Sequence, residues 1–325
     1  MDLEQELQGR SILVTGGAGF VGANIVARLC NMGAKVTVLD NLETGRLENL
    51  AGAGEFRMVE GSVCDSSLVE KLIAETELVI HAAARNIIVS TRNPRDDFDV
   101  NIGGTLNVLM AARVAKVKRV VYTSSASIYG NPAHLPVMED DRPSLLSPYA
   151  VSKFAGESYC SAFYESYGVP VSIVRYSNVY GTLQSPSNPY CGVVAKFFTA
   201  VMNDSPIDIH GDGQQTRDFT FVDDAVEATL MAAVSPRADG EAFNIGTGFE
   251  HDVNSLAEKI MQVAGKRVEV RHIDRRDIDN IRRRVVSIEK IRRMLHWVPA
   301  FTLLKGLEKT KRWMESTNSV PTSQT

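Results

Sequence analysis

Cysteine is scarce in this chain of 325 residues: Cys30, Cys64, Cys160 and Cys191 are scattered, with no Cys-x-x-Cys pair and no histidine close by. That excludes a disulfide-stapled scaffold and a zinc centre, so free buried thiols in a reducing cytosol are expected, and no metal. No run of about 18 apolar residues occurs, which removes a transmembrane helix. The opening MDLEQELQGR is acidic and polar and has no apolar signal core, so a cytoplasmic location is expected. Net charge is small as well, since 35 basic and 39 acidic residues leave −4. Without bulk basic character, neither nucleic acid nor a membrane surface is an expected partner. No internal repeat is present. The small, polar stretch 316–325 is expected to be disordered. What remains is globular in composition, 44% hydrophobic and 23% charged, and long enough for two domains.

The most informative stretch is Val14-Thr-Gly-Gly-Ala-Gly-Phe-Val-Gly22. An apolar run, Ser11–Thr15, enters it as a buried strand, and Val21, Ile25, Val26 and Leu29 leave it at helical spacing. Glycines at 16, 19 and 22 let backbone approach a diphosphate, which the free N–H groups of the helix start can hold. A second strand, Lys35–Leu39, ends at Asp40, about 20 residues on, where an acid meets the hydroxyls of an adenine ribose. That acid would repel a 2′-phosphate, so NAD is expected over NADP. Strands at 56–60, 78–81 and 119–123 alternate with helices at 67–74 and 97–117. This alternation predicts an α/β, doubly wound parallel sheet with ligands beyond the strand C-termini.

Tyr149-Ala-Val-Ser-Lys153 follows Pro148 at the start of a helix. Tyrosine and lysine at i and i+4 share one face. A neighbouring ammonium favours the phenolate, so Tyr149 is a candidate to take a proton from an alcohol, with Lys153 as its cation. Ser125, at the end of the fifth strand, can bond the same oxygen. His81 and His210 are read as structural, and Trp297 as core or interface.

Together these pieces resemble an extended short-chain dehydrogenase/reductase of the NAD-dependent nucleotide-sugar epimerase/dehydratase group, near its UDP-glucose 4-epimerase branch. The matching segments are TGGAGFVG, LDN (39–41), HAAA (81–84), NIGGTLNVL (101–109), TSSASIYG (123–130), YAVSK (149–153), RYSNVYG (175–181), GDGQQTRDFTFVDD (211–224) and FNIGTG (243–248). The resemblance implies a Rossmann domain over 1–177, to which about 218–247 returns. It implies a smaller mixed α/β, substrate-binding C-terminal domain from about 178–217 and 248–315. Gly16, Gly19, Phe20, Val21 and Gly22 would hold the NAD pyrophosphate. Asp40 would take the adenosine ribose, with Asn41, Thr44 and Gly45 near it. Ser62 and Val63 would face adenine, where the family usually has Asp before Val. Ala82, Ala83, Asn101 and Tyr176 would line the cofactor, and Lys153 would bond the nicotinamide ribose. Tyr149 would be the acid/base and Ser125 its partner.

For the substrate, a nucleotide-diphosphate sugar, the resemblance implies Arg217 of the GDG-x-x-x-R-D-F motif, Asn178 and Val193. Arg276 and Arg283 are the C-terminal candidates for the diphosphate. The stretch 182–192 reads as an active-site loop. Its Leu183 stands where an arginine is common, which weakens an acidic sugar, whereas Arg85 after HAAA offers a cation from the other side. Dehydratases of the group carry Asp-Glu beside the Ser/Thr and decarboxylases a Glu; this chain has Ala126-Ser127. With no second acid or base there, the expected reaction is 4-epimerisation, by way of a 4-keto sugar and return of hydride to its other face. A homodimer through the helices of 97–117 and 149–167 is also expected.

Overall fold

The computed structural model describes residues 2–184, 192–275 and 281–318. A seven-stranded parallel sheet forms its centre, in the order β11-β6-β5-β4-β1-β2-β3. Its strands are β1 (Ser11–Thr15), β2 (Lys35–Asp40), β3 (Phe56–Glu60), β4 (Leu78–His81), β5 (Arg119–Ser125), β6 (Val171–Tyr176) and, far along the chain, β11 (Glu241–Ile245). β1 lies between β2 and β4, with Val14 opposite Val38 and Ile80. Successive side chains of a strand face opposite sides, so an all-apolar strand feeds two cores. Ile12 and Val14 enter one core and Leu13 the other.

On one face pack α3 (Ser66–Ile73), α6 (Thr105–Ala115) and α7 (Pro148–Tyr167). The other face is covered by α2 (Phe20–Asn31) and α9 (Val222–Val234), with α1 (Leu3–Leu7) against α9. α4 (Ile87–Arg92) and α5 (Pro94–Asp97) sit after β4. The remaining chain forms three two-stranded sheets: β7 (Asn178–Tyr180) with β10 (Phe219–Phe221), β9 (Thr216–Arg217) with β12 (His251–Asp252), and β8 (Ile207–His210) with β13 (Val270–Ile273). α8 (Val193–Met202), α10 (Val253–Ala264) and α12 (Leu303–Asn318) pack there, and α11 (Glu289–Leu295) packs on β11. Phe198, Leu256 and Leu307 join the same apolar cluster as Ile12 and Val14, so one core runs from the large sheet into the smaller part.

Several elements depart from the sequence reading. The single helix expected over 97–117 is α5, a π-turn at Phe98–Gly104, then α6. The turn widens where Asn101 sends its amide inward, and a Cβ on Gly104 would sit 2.5 Å from Val63 Cγ2. Residues 316–318 are not disordered but end α12, with Ser316 and Thr317 hydroxyls donating to the Trp313 carbonyl; 319–325 lie outside the described residues. The polar opening forms α1, capped by Asp2 and anchored by buried Leu7. Of the three described cysteines, all free, only Cys160 is buried; Cys64 is exposed.

Candidate active site

The glycine turn is built as a backbone cradle at the C-terminal end of β1. Gly16 has φ +69°, the left-handed region, and a Cβ there would lie 2.6 Å from the Ala83 nitrogen. A Cβ on Gly22 would lie 2.1 Å from the Gly16 carbonyl oxygen. Gly19 is the N-cap of α2 and has no side chain to occupy the first-turn N–H groups, among them those of Phe20 and Val21. Ala82 and Ala83 form the opposite wall: Ala82 N–H donates to the Thr15 carbonyl and Ala83 N–H to Thr15 Oγ1. Below them His81 is buried between the Thr15 and Thr105 hydroxyls at 2.7 and 3.0 Å, and burial pushes its pKa down to about 3. It is a neutral structural group, in keeping with the sequence reading.

Asp40 stands at the end of β2, buried, and accepts from the N–H groups of Ala18 and Leu42, both at 2.9 Å. Gly45 packs on its carboxylate, while Asn41 and Thr44 are exposed on the same loop. Val63 is buried against Gly104, and Ser62 accepts from Cys64 N–H. Arg85, expected as a spare cation for a sugar, is paired with carboxylates. Its guanidinium bonds Asp96 at 2.6 and 3.1 Å and pairs with Glu43, on the side of the Asp40 loop. The Tyr176 hydroxyl is engaged with Thr229, and the Asn101 side chain with Arg85, Asp97 and Ser152.

β5 and α7 bring the reacting groups together. Ser147 caps α7, Pro148 takes its first turn, and Tyr149 follows half-buried. Burial pushes the Tyr149 phenol up to about 12; the Ser125 hydroxyl and the Arg284 charge pull the other way, and Asp97 adds to the rise. Lys153 is buried and donates to the Thr123 carbonyl at 2.8 Å. Desolvation brings it down to about 8, opposed by Asp97 and Glu157. Arg284 is thus a further cation that acts on the phenol. Ser125 Oγ lies 2.7 Å from Ser127 Oγ, and Ala126 is buried.

A cavity of about 600 Å³ opens on the smaller part of the molecule, lined by Asn178, Val193, Arg217, Arg275 and Arg282 among others. Ser125, Tyr149 and Lys153 do not line it. Arg217 is buried and donates to the Thr216 and Ile281 carbonyls, both at 2.8 Å. Asn178 Oδ1 and Gln184 Oε1 are buried with no hydrogen-bond partner among the described residues. Arg283 instead points outward to Glu250. Adjacent residues of an extended segment face opposite sides, which puts Arg282, not Arg283, at the cavity. Arg276 and most of the 182–192 loop lie outside the described residues.

The model of the NAD dependent epimerase/dehydratase family matches residues 12–246. This chain belongs to that family. A UDP-glucose 4-epimerase of Mycolicibacterium smegmatis is 38% identical over 305 residues, covering 92% of this chain and 96% of its own length. An epimerase structure from Methanothermobacter thermautotrophicus superposes with TM-score 0.93 at 37% identity, covering 97% of this chain and 96% of that one. A UDP-glucose 4-epimerase from Thermotoga maritima, solved with UDP-glucose, gives TM-score 0.90 at 34% identity, covering 94% and 99%.

The residues present fit the family's NAD. A cradle exists at 16–22 that a Cβ would fill, with a carboxylate at the end of the next strand. Two residues escaped the sequence reading. Arg284 lay in an arginine run without a register, and only its burial, at 4% exposed, and its charge acting on the Tyr149 phenol single it out. Asp97 was read only as the first residue of the helix expected over 97–117, but it is buried and its carboxyl is acted on by the Lys153 charge.

Proposed function

We propose that this protein is an NAD-dependent 4-epimerase of a nucleotide-diphosphate hexose, with a UDP-sugar as substrate. The observation that carries this reading is the Ser125–Ser127 hydroxyl pair beside Tyr149, with buried Ala126 between them and no carboxylate at those positions. Bound in the cradle, NAD supplies reversible hydride acceptance. Tyr149 takes the proton from the sugar C4 hydroxyl while Ser125 holds that oxygen, and the cations Lys153 and Arg284 favour the phenolate. The keto sugar turns about its diphosphate link, held by Arg217 and Asn178. Tyr149 then returns the proton to the oxygen, and C4 is reduced from its opposite face. No proton is gained or lost overall. The similarity to 4-epimerases over more than nine-tenths of the chain supports the reading.

The test is a panel of UDP-glucose, UDP-N-acetylglucosamine and UDP-glucuronate, with products separated and the nucleotide identified. Arg284 beside Tyr149 is the reason to include the sugar acid. Inversion of one sugar without net consumption of NADH is expected, and Tyr149→Phe should lower kcat about 10³-fold. Consumption of NADH with a reduced sugar, or full activity of the Phe variant, would sink the proposal.

A homodimer and a cytosolic location belong to the same proposal. Met110, Val114, Val151, Tyr159 and Tyr167 are exposed on α6 and α7, and their covering by a second copy would remove that apolar surface from water. Sedimentation showing only monomer would refute the dimer. Three free cysteines support the reducing compartment, and no described helix is long and apolar enough to cross a membrane.

A further inference from the structure

Asp97 has no place in the chemistry just described, yet it is 3% exposed and its surroundings are built around it. Three donors from three segments converge on one oxygen, Oδ1. They are Ser90 Oγ of α4 at 2.5 Å, Asn101 Nδ2 of the π-turn at 2.6 Å and Ser152 Oγ of α7 at 2.9 Å. Burial raises the Asp97 carboxyl above its ordinary value, and these three donations, with the Lys153 charge, oppose that rise by favouring the carboxylate. Two of the donors lead elsewhere in the site. Ser152 also donates to the Tyr149 carbonyl at 3.1 Å and directly precedes Lys153. Asn101 accepts from Arg85 N–H at 2.7 Å and donates to the Arg85 carbonyl at 3.2 Å, on the segment that follows Ala82 and Ala83. The π-turn is the distortion that turns Asn101 toward both partners.

We propose that Asp97 is a positioning residue: its carboxylate ties α7 to the cofactor-lining segment through Ser152 and Asn101, and supplies the fixed negative charge facing Tyr149 and Lys153. This rests on the roles given to those two residues above. The consequence is a pH window. A negative charge favours the protonated forms of both Tyr149 and Lys153, and Asp97 acts on both in that direction. The other groups facing the pair are Glu157 and Cys160 from α7, His81 from β4, Tyr122 from β5, whose ring lies 5.0 Å from Lys153 Nζ and whose phenol burial keeps protonated, and Arg284 from the segment before α11. His81 is held neutral, and the Cys160 thiol is pushed up by burial, so neither brings a charge near neutral pH. Asp97 and Glu157 are the acids that face Lys153. Arg175 holds the Glu157 carboxylate with both Nε and Nη2, which leaves Asp97 as the acid without a guanidinium partner among the bonds described.

The test uses the full-length enzyme with its cofactor. In Asp97→Asn both limbs of the kcat/KM pH profile should move to lower pH, by about half to one unit. The phenol of Tyr149, followed by ¹³C-tyrosine NMR and assigned by subtraction of the Tyr149→Phe spectrum, should titrate lower by the same amount. Ser152→Ala keeps the charge but cuts the tie. It should lower kcat about tenfold and leave both limbs in place. Limbs and phenol titration unmoved in a folded Asp97→Asn protein would overturn the electrostatic part, and wild-type kcat in Ser152→Ala would overturn the tie. Should Asp97→Asn fail to fold, the Ser152→Ala result still decides the tie, and the phenol titration of Asp97→Glu, which should match wild type, decides the charge. Failure of the epimerase reading itself would show separately, as full activity in Tyr149→Phe.

Discussion

The cradle at 16–22 and the cavity around Arg217 are built in opposite ways. The cradle works through backbone. Its glycines are set by what they must not carry, because a Cβ on Gly16 or Gly22 would meet main-chain atoms within 3 Å. The cavity works through side chains, brought from β7, α8, β9 and the segment after β13. A backbone site is written in one short run of sequence and tolerates little change. A side-chain site is assembled from distant segments, and each member can be exchanged singly.

Substitutions can break this contrast. The largest effect is expected from Gly22→Ala, whose methyl would stand 2.1 Å from the Gly16 oxygen. It should cost about 3 kcal/mol of stability and release NAD, read by thermal unfolding and by cofactor content of the purified protein. Retention of both would show that the cradle is not set by backbone contact. Next comes Arg217→Ala, which should raise KM for the nucleotide sugar by roughly tenfold to a hundredfold with cofactor content unchanged. A loss of NAD instead would join the two regions into one.

Acid sensitivity should belong to the cradle half. His81 is depressed to about 3 in the folded protein from 6.5. Its folded pKa is the lower one, so the unfolded chain binds the extra proton between those values. The stability contributed by neutral His81 is present above pH 6.5 and is lost as pH falls toward about 3. The loss is about 1.4 kcal/mol per pH unit at most. Denaturant titrations at pH 7 and pH 5 should show a shallower loss in His81→Gln than in the wild type. The smallest effect is expected from Arg283→Ala, an exposed arginine paired with half-buried Glu250, with KM changed less than about twofold. A larger change would restore Arg283 to the cavity.

Legibility in the sequence follows the same division. The parallel sheet, the cradle, Asp40 and the Tyr149–Lys153 pair depend on spacing over about five to twenty residues, and they could be read directly. Arg85 was misjudged because its partners, Glu43 and Asp96, lie about forty residues before it and eleven after it. Arg283 was misjudged because a run of three arginines has no register until β9 fixes Arg282, whose carbonyl accepts from Thr216 N–H. α12 was missed because its apolar stripe, Leu303, Leu307 and Met314, is interrupted by lysines and glutamates, and it packs on a core whose other wall is α10.

The clasp made by Asp40 bears on how readily this enzyme could change its cofactor. Its two oxygens hold the N–H groups of Ala18 and Leu42, and Leu42 is kept at φ 57°, a conformation that a leucine seldom adopts. The acid expected to exclude a 2′-phosphate is thus also the fastening of two loops. Swapping that one side chain would not yield a phosphate-accepting variant but a loosened one. Drift toward the phosphorylated dinucleotide would require residues 17–18 and 41–45 to be rebuilt together, a barrier that ties the lineage to its present redox currency.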